Sequence, residues 1–176
     1  VAIDTVLGLA AGRCSVMDVL EAISLEPIRM KFGFDDDELV TITSWANQLN
    51  IKWGIDSFHR SAWQYSEEFE DGTWQLAIDR LTAGIMFQSE SVEEHFPGVA
   101  AFDDISGSNI ETIGKLFTFY EALKSVQQSA KVSLISKEWA SLLGNVIDDF
   151  ISIPRDHKQH LQDVHRTISQ LDMAFE

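Results

Sequence analysis

The chain has 176 residues, 45% of them apolar, and carries 13 Lys plus Arg against 28 Asp plus Glu, a formal net charge of −15. That length and apolar content suffice for one domain with a real core. The acidic balance excludes a generally basic nucleic-acid coat, because neutralising phosphates needs clustered Lys and Arg. A single cysteine, Cys14, excludes an internal disulfide and a cysteine-based zinc site. No run approaches the ~18 apolar residues of a membrane span. No basic, apolar leader opens the chain, so the reading is a soluble cytoplasmic protein that begins mid-pattern at Val1, as a piece of a longer one would.

Three prolines and ten glycines punctuate long stretches of helical spacing. Ile3, Val6, Leu7 and Ala10 form a short stripe ending near Gly12. Ser15 with Asp18 is a capping-box-like start for a helix carrying Val16, Val19, Leu20 and Ile23, which Pro27 interrupts. Asp35 caps a helix with Leu39, Ile42, Ala46 and Leu49 on one face, ending near Asn50. Asp56 begins a short helix, and Thr73 caps another bearing Trp74, Ala77, Ile78, Leu81 and Ile85. Ser89 to Gly107 is a long acidic connection. Ser108 with Glu111 opens a helix expected to bury Ile110, Ile113, Phe117, Tyr120 and Leu123. Ser136 opens one with Trp139, Leu142, Leu143, Val146 and Phe150. The last carries Leu161, Val164, Ile168, Leu171 and Phe175. Val132 to Ile135 alone tempts as a strand and is too short to found a sheet. The expectation is a single all-α domain over residues 1–176, of about seven helices, with Trp45, Trp53, Trp74 and Trp139 at least partly buried.

Catalytic patterns are missing. Gly114-Lys115 ends a Walker-like phrase, but Leu116 stands where Ser or Thr should reach Mg²⁺, and no strand precedes it. No Glu has His three residues later, which removes the di-iron bundle. His157, His160 and His165 flank the apolar stripe of the last helix and do not converge, so no metal site is expected there. Asp35, Asp36, Asp37 and Glu38 lack calcium-loop spacing and read as first-turn acids favoured by the helix dipole. Between Tyr65 and Thr112 stand eleven acids and one base, Arg80. That run suits a solvated surface or a face for a basic partner. Bases gather elsewhere: Arg29 and Lys31, then Lys52, His59 and Arg60 among Trp53, Phe58 and Trp63. Basic residues interleaved with aromatics can hold single-stranded nucleic acid by stacking plus phosphate contact. Lys52, His59, Arg60 and Trp63 are therefore the DNA-contact candidates. The ordinary alternative packs Trp53 in the core and has Lys52 and Arg60 cap or pair with Asp56.

The block Asn50-Ile51-Lys52-Trp53-Gly54-Ile55-Asp56, followed by His59-Arg60, resembles the I-R-W-G-L-D … R signature of the RecC family, the gamma subunits of exodeoxyribonuclease V. Its continuation, Thr73-Trp74-Gln75-Leu76 through Asp79-Arg80-Leu81 to Gly84-Ile85-Met86, is similar to that family's T-W-R-F-G-L-x-R-M-L-L-G-Y-A-M. Gln75 departs from Arg and Ala77 from Gly. The resemblance makes Trp53, Gly54, Asp56, Trp74, Asp79 and Arg80 family-motif positions. It implies a domain like the 2B insertion of superfamily 1 helicases, within a catalytically silent, helicase-like subunit that helps channel double- and single-stranded DNA in repair and recombination. RecB-like and RecD-like partners would hold the ATP, Mg²⁺ and nuclease chemistry, leaving no cofactor here. The rival reading is a free-standing acidic helical adaptor for a basic protein.

Overall fold

Helix starts follow local chemistry in the computed structural model, which describes residues 1–86, 99–105, 107–130, 134–154, 156 and 158–173. Nine α-helices and one 3₁₀ turn occur among them: α1 Ala2–Ala11, α2 Val16–Ser24, α3 Glu26–Phe32, α4 Asp36–Gln48, α5 Ser57–Ser61, α6 Trp74–Met86, the turn Gly107–Asn109, α7 Ile110–Ala130, α8 Ser136–Phe150 and α9 Lys158–Met173. Among the described residues there is no strand. Leu134 and Ile135 are irregular, and the rest of the Val132 to Ile135 stretch lies outside the described residues, as does most of the Ser89 to Gly107 connection.

Ser15 and Asp18 satisfy each other's backbone amides at the start of α2, and Asp35 and Glu38 do the same for α4, with bonds of 2.8 and 2.9 Å. Asp56 caps α5 by accepting the His59 amide, and the Thr73 hydroxyl accepts the Leu76 amide at the start of α6. The helix count exceeds seven partly because of α3. Pro27 falls in its first turn, where a missing N–H costs nothing, so the proline begins a helix after ending the previous one.

Helix α7 is the hub and packs against α1, α3, α4, α6 and α8. Enclosure on several sides explains why one stripe does not describe it. Ile113, Leu116, Phe119, Tyr120, Leu123 and Val126 are buried, whereas Ile110 and Phe117, expected inside, are 49% and 45% exposed. Phe32 of α3, Phe119 of α7 and Phe150 of α8 meet edge-to-face at 5.2–5.8 Å between ring centroids, tying three helices together. Trp45 and Trp74 are buried and Trp53 is half-buried, but Trp139 is 45% exposed. Ile147 of α8 takes up core space instead.

Glu38 also reaches across to α7. Its carboxylate accepts from Lys115 Nζ at 2.8 Å and from the Thr112 hydroxyl at 3.0 Å. Burial alone would raise this carboxyl, but Lys115, the Asp35 amide and Thr112 outweigh it and hold the pKa below the usual range. The Walker-like lysine is thus an ion-pair partner of a helix cap. Cys14 is fully buried, its thiol donates to the Leu9 carbonyl, and burial with the nearby Asp18 pushes its pKa up to about 12, so it is an inert core residue.

Candidate nucleic-acid interface

The stretch Ile51 to Asp56 is stitched on both sides by backbone bonds. Val16 donates to the Lys52 carbonyl at 3.0 Å and Gly54 to the Arg13 carbonyl at 2.8 Å. On the other side Lys52 donates to Gly72 at 2.9 Å, and Trp74 and Gln75 donate back to Gly54 and Ile55. The indole of Trp74, buried, donates to the Cys14 carbonyl. The family-motif block is therefore a joint between the α1–α2 turn, the α4–α5 link and the start of α6.

Arg60 is the pin of that joint. It is 5% exposed, and its guanidinium donates to the Trp53 carbonyl through Nε and Nη2 (3.1 and 2.7 Å) and to the Asp71 and Phe69 carbonyls through Nη1 (2.8 and 3.3 Å). It also stacks on the Trp53 ring, 4.9 Å from the centroid. His59 is 2% exposed, and its Nδ1 accepts the Ile55 amide. The sequence reading offered both as DNA-contact candidates; here α5 turns these side chains inward, where they hold a loop. The alternative had Lys52 and Arg60 cap or pair with Asp56, whereas the Arg60 guanidinium gives its donors to backbone carbonyls. Asp56 caps α5 and lies 3.7 Å from Lys124 Nζ. Of the four candidates, Lys52 is exposed and Trp63 half-buried.

Arg13 is the cation that the structure places on these aromatics, and sequence reasoning missed it. It is exposed, and its guanidinium sits 5.4 Å from the Trp53 ring centroid and 6.0 Å from that of Trp63. The two indoles meet edge-to-face at 5.7 Å, and Tyr65 meets Trp53 at 5.2 Å. Nothing local marks Arg13, since it stands forty and fifty residues before the two rings it covers, Trp53 and Trp63. The other two bases singled out in the sequence are engaged: Arg29 pairs with Asp36 at 2.7 Å, and Lys31 donates to the Asp148 carbonyl.

Asp79 and Arg80 have partners of their own on and beside α6. Asp79 accepts from Gln75, whose side-chain oxygen accepts from Tyr120 and Lys124 of α7. Burial raises the Asp79 pKa, against the opposing pull of Gln75 and Lys124, and burial likewise raises that of Tyr120. A second cation at position 75 would face Lys124, so the uncharged Gln75 suits this network. Arg80 donates to the Ala100 carbonyl at 2.9 Å and holds the returning segment 99–105 on α6. Among the described residues no group of three or more His, Cys, Asp and Glu is placed to hold a metal ion. His157 lies outside them, and His165 sits 3.4 Å from Asp148.

A family model described as the RecBCD enzyme subunit RecC fourth domain matches residues 1–176. The chain belongs to the RecC fourth-domain family. It is 34% identical over 142 residues to the RecBCD enzyme subunit RecC of Mycolicibacterium smegmatis and 32% identical to that of Mycobacterium tuberculosis, covering 81% of this chain in both. To the Escherichia coli subunit it is 22% identical over 146 residues, or 83% of the chain. The chain spans only about 13% of the length of these relatives. In this RecC domain the motif glycine has a specific reason. Gly54 has φ +88°, and a Cβ there would lie 2.8 Å from Arg60 Nε and 2.9 Å from its Cγ. Gly54→Ala should cost about 2–4 kcal/mol locally, combining a left-handed conformer with displaced arginine hydrogen bonds. Amide exchange of residues 52–74 in the intact subunit reads this. Protection equal to the wild type would refute it.

Proposed function

We propose that this domain is a non-catalytic part of the gamma subunit of a RecBCD-type exodeoxyribonuclease V complex of the bacterial cytoplasm, acting in double-strand break repair and recombination. Its role is that of a helicase 2B-like helical element that guides a DNA strand. RecB-like and RecD-like subunits supply the ATP- and Mg²⁺-dependent steps, and double- and single-stranded DNA reach the domain only within the assembly. One observation carries the reading: exposed Arg13 lies over the joined indoles of Trp53 and Trp63. A cation on an aromatic platform can hold a single strand by stacking and phosphate contact, without reading its sequence. With a net charge of −15, the domain by itself repels phosphate at long range, so its contribution is guidance and the assembly supplies affinity.

The test uses the full-length subunit assembled with its partners. Arg13→Ala with Lys52→Ala should weaken DNA-end binding roughly three- to tenfold at low salt and lower the salt slope by about 1–2, as expected for one or two lost phosphate contacts. Unchanged affinity together with an unchanged slope would sink the proposal.

A further inference from the structure

Eight consecutive residues, 64–71, are exposed, and they include Tyr65 at 53% and Phe69 at 62% exposure. Phe58, on the short helix that leads into the loop, is 58% exposed. Single exposed apolar residues are ordinary, but two large aromatics on one short non-helical loop are not, and clustered exposed aromatics mark interaction surfaces.

The loop is nevertheless held in one shape. Buried Arg60 donates to the Phe69 and Asp71 carbonyls, Phe69 donates to the Ser66 carbonyl, and the Thr73 amide and hydroxyl both bond the Glu70 carbonyl. A desolvated guanidinium is committed to a segment that buries almost none of its own side chains. Such order does little for the core, but it lowers the entropy lost when a partner is bound.

Charge selects the partner. Glu67, Glu68, Glu70 and Asp71 surround the two aromatics, and no Lys or Arg occurs from Ser61 to Asp79. Four acids repel nucleic acid and anionic lipid alike. We infer that the 64–71 loop is a docking surface for a protein partner, one offering an apolar socket for Tyr65 and Phe69 within a rim of Lys and Arg. Aromatic anchors inside a charged rim are the usual anatomy of a specific interface. Tyr65 touches Trp53, so a partner seated here would border the Arg13 platform and close one side of it. The inference rests on the proposed membership in a multi-subunit complex, with the RecB-like or RecD-like subunit as the basic partner. It does not depend on where DNA runs.

The experiment titrates full-length subunit with each purified partner subunit at low and high salt. One variant removes the anchors (Tyr65→Ser with Phe69→Ser), and another reverses the rim (Glu67→Lys, Glu68→Lys and Glu70→Lys together). Each should weaken assembly with one partner about tenfold or more. The rim variant should recover as salt rises, while the anchor variant should not. All five side chains are exposed, so thermal stability of the free subunit should not move for the rim variant and should fall only slightly for the anchor variant, which gives up the Tyr65–Trp53 ring contact. Wild-type assembly by both variants would overturn the inference. So would a destabilised free subunit with normal assembly, because the loop would then pack on another part of its own chain. The Arg13 and Lys52 variants, measured for DNA, fail or succeed independently of these.

Discussion

Arg60→Met should be the most damaging single substitution at the joint, opening residues 52–73 by about 3–5 kcal/mol. Methionine fills similar apolar volume but donates nothing. The Trp53 carbonyl, which accepts two of the guanidinium bonds, then has no donor in a half-buried place, and the Phe69 and Asp71 carbonyls lose theirs as well. The last two lie in an exposed loop and recover water, so the cost falls short of the full sum. Arg60→Lys keeps the charge but has one compact ammonium where a planar fork reached three carbonyls, and should recover less than half of the loss. Amide exchange in the intact subunit reads both variants, with the effect confined to the 52–73 peptides and α7 unmoved. A direct DNA-contact role would give another result: wild-type protection and a lower salt slope for DNA binding. That outcome would overturn the assignment of Arg60 as an internal pin.

Gly84→Ala reverses the sign expected from helix propensity. Gly84 lies inside α6, where alanine is favoured by about 1 kcal/mol. A Cβ at this position, however, would overlap the Phe102 carbonyl oxygen and come within 2.7 Å of Ile105 Cδ1. The carbonyl belongs to the 99–105 segment, which cannot shift alone, because the Phe102 amide donates to the Arg80 carbonyl at 3.0 Å and the Arg80 side chain bonds Ala100. The segment must lift, losing these bonds and exposing Phe102, now 9% exposed. The expected net cost is about 2–4 kcal/mol, seen as lost exchange protection in residues 99–105 with α6 unchanged. A gain in stability would mean that the close approach does not exist.

Much of this domain is written locally. Capping pairs such as Ser15 with Asp18 and Asp35 with Glu38 act over three residues, so the sequence alone announces where α2 and α4 begin. The 3-4 spacing of Ile42, Ala46 and Leu49 likewise declares its buried face. The family was legible from the block around Trp53, Gly54, Trp74 and Arg80, and the whole-chain match bears out the family. What each of those residues does was not. Pro27 reads as a break until its place in the first turn of α3 is known. The register of α7 misleads because a helix surrounded by neighbours has no single wet side.

The candidate site depended most on tertiary structure. Arg60 and Lys52 look alike in the sequence, two bases beside aromatics, yet one is buried under three carbonyls and the other is exposed. The difference lies in the direction in which a five-residue helix faces a loop nine to eleven residues downstream of Arg60. Arg13 has no local mark at all. It reaches the indoles only because backbone bonds from Gly54 and Val16 bring the α1–α2 turn against the α4–α5 link. Short-range chemistry thus set the helices and the charge from the sequence by itself, while long-range packing decided which cations remain in contact with water.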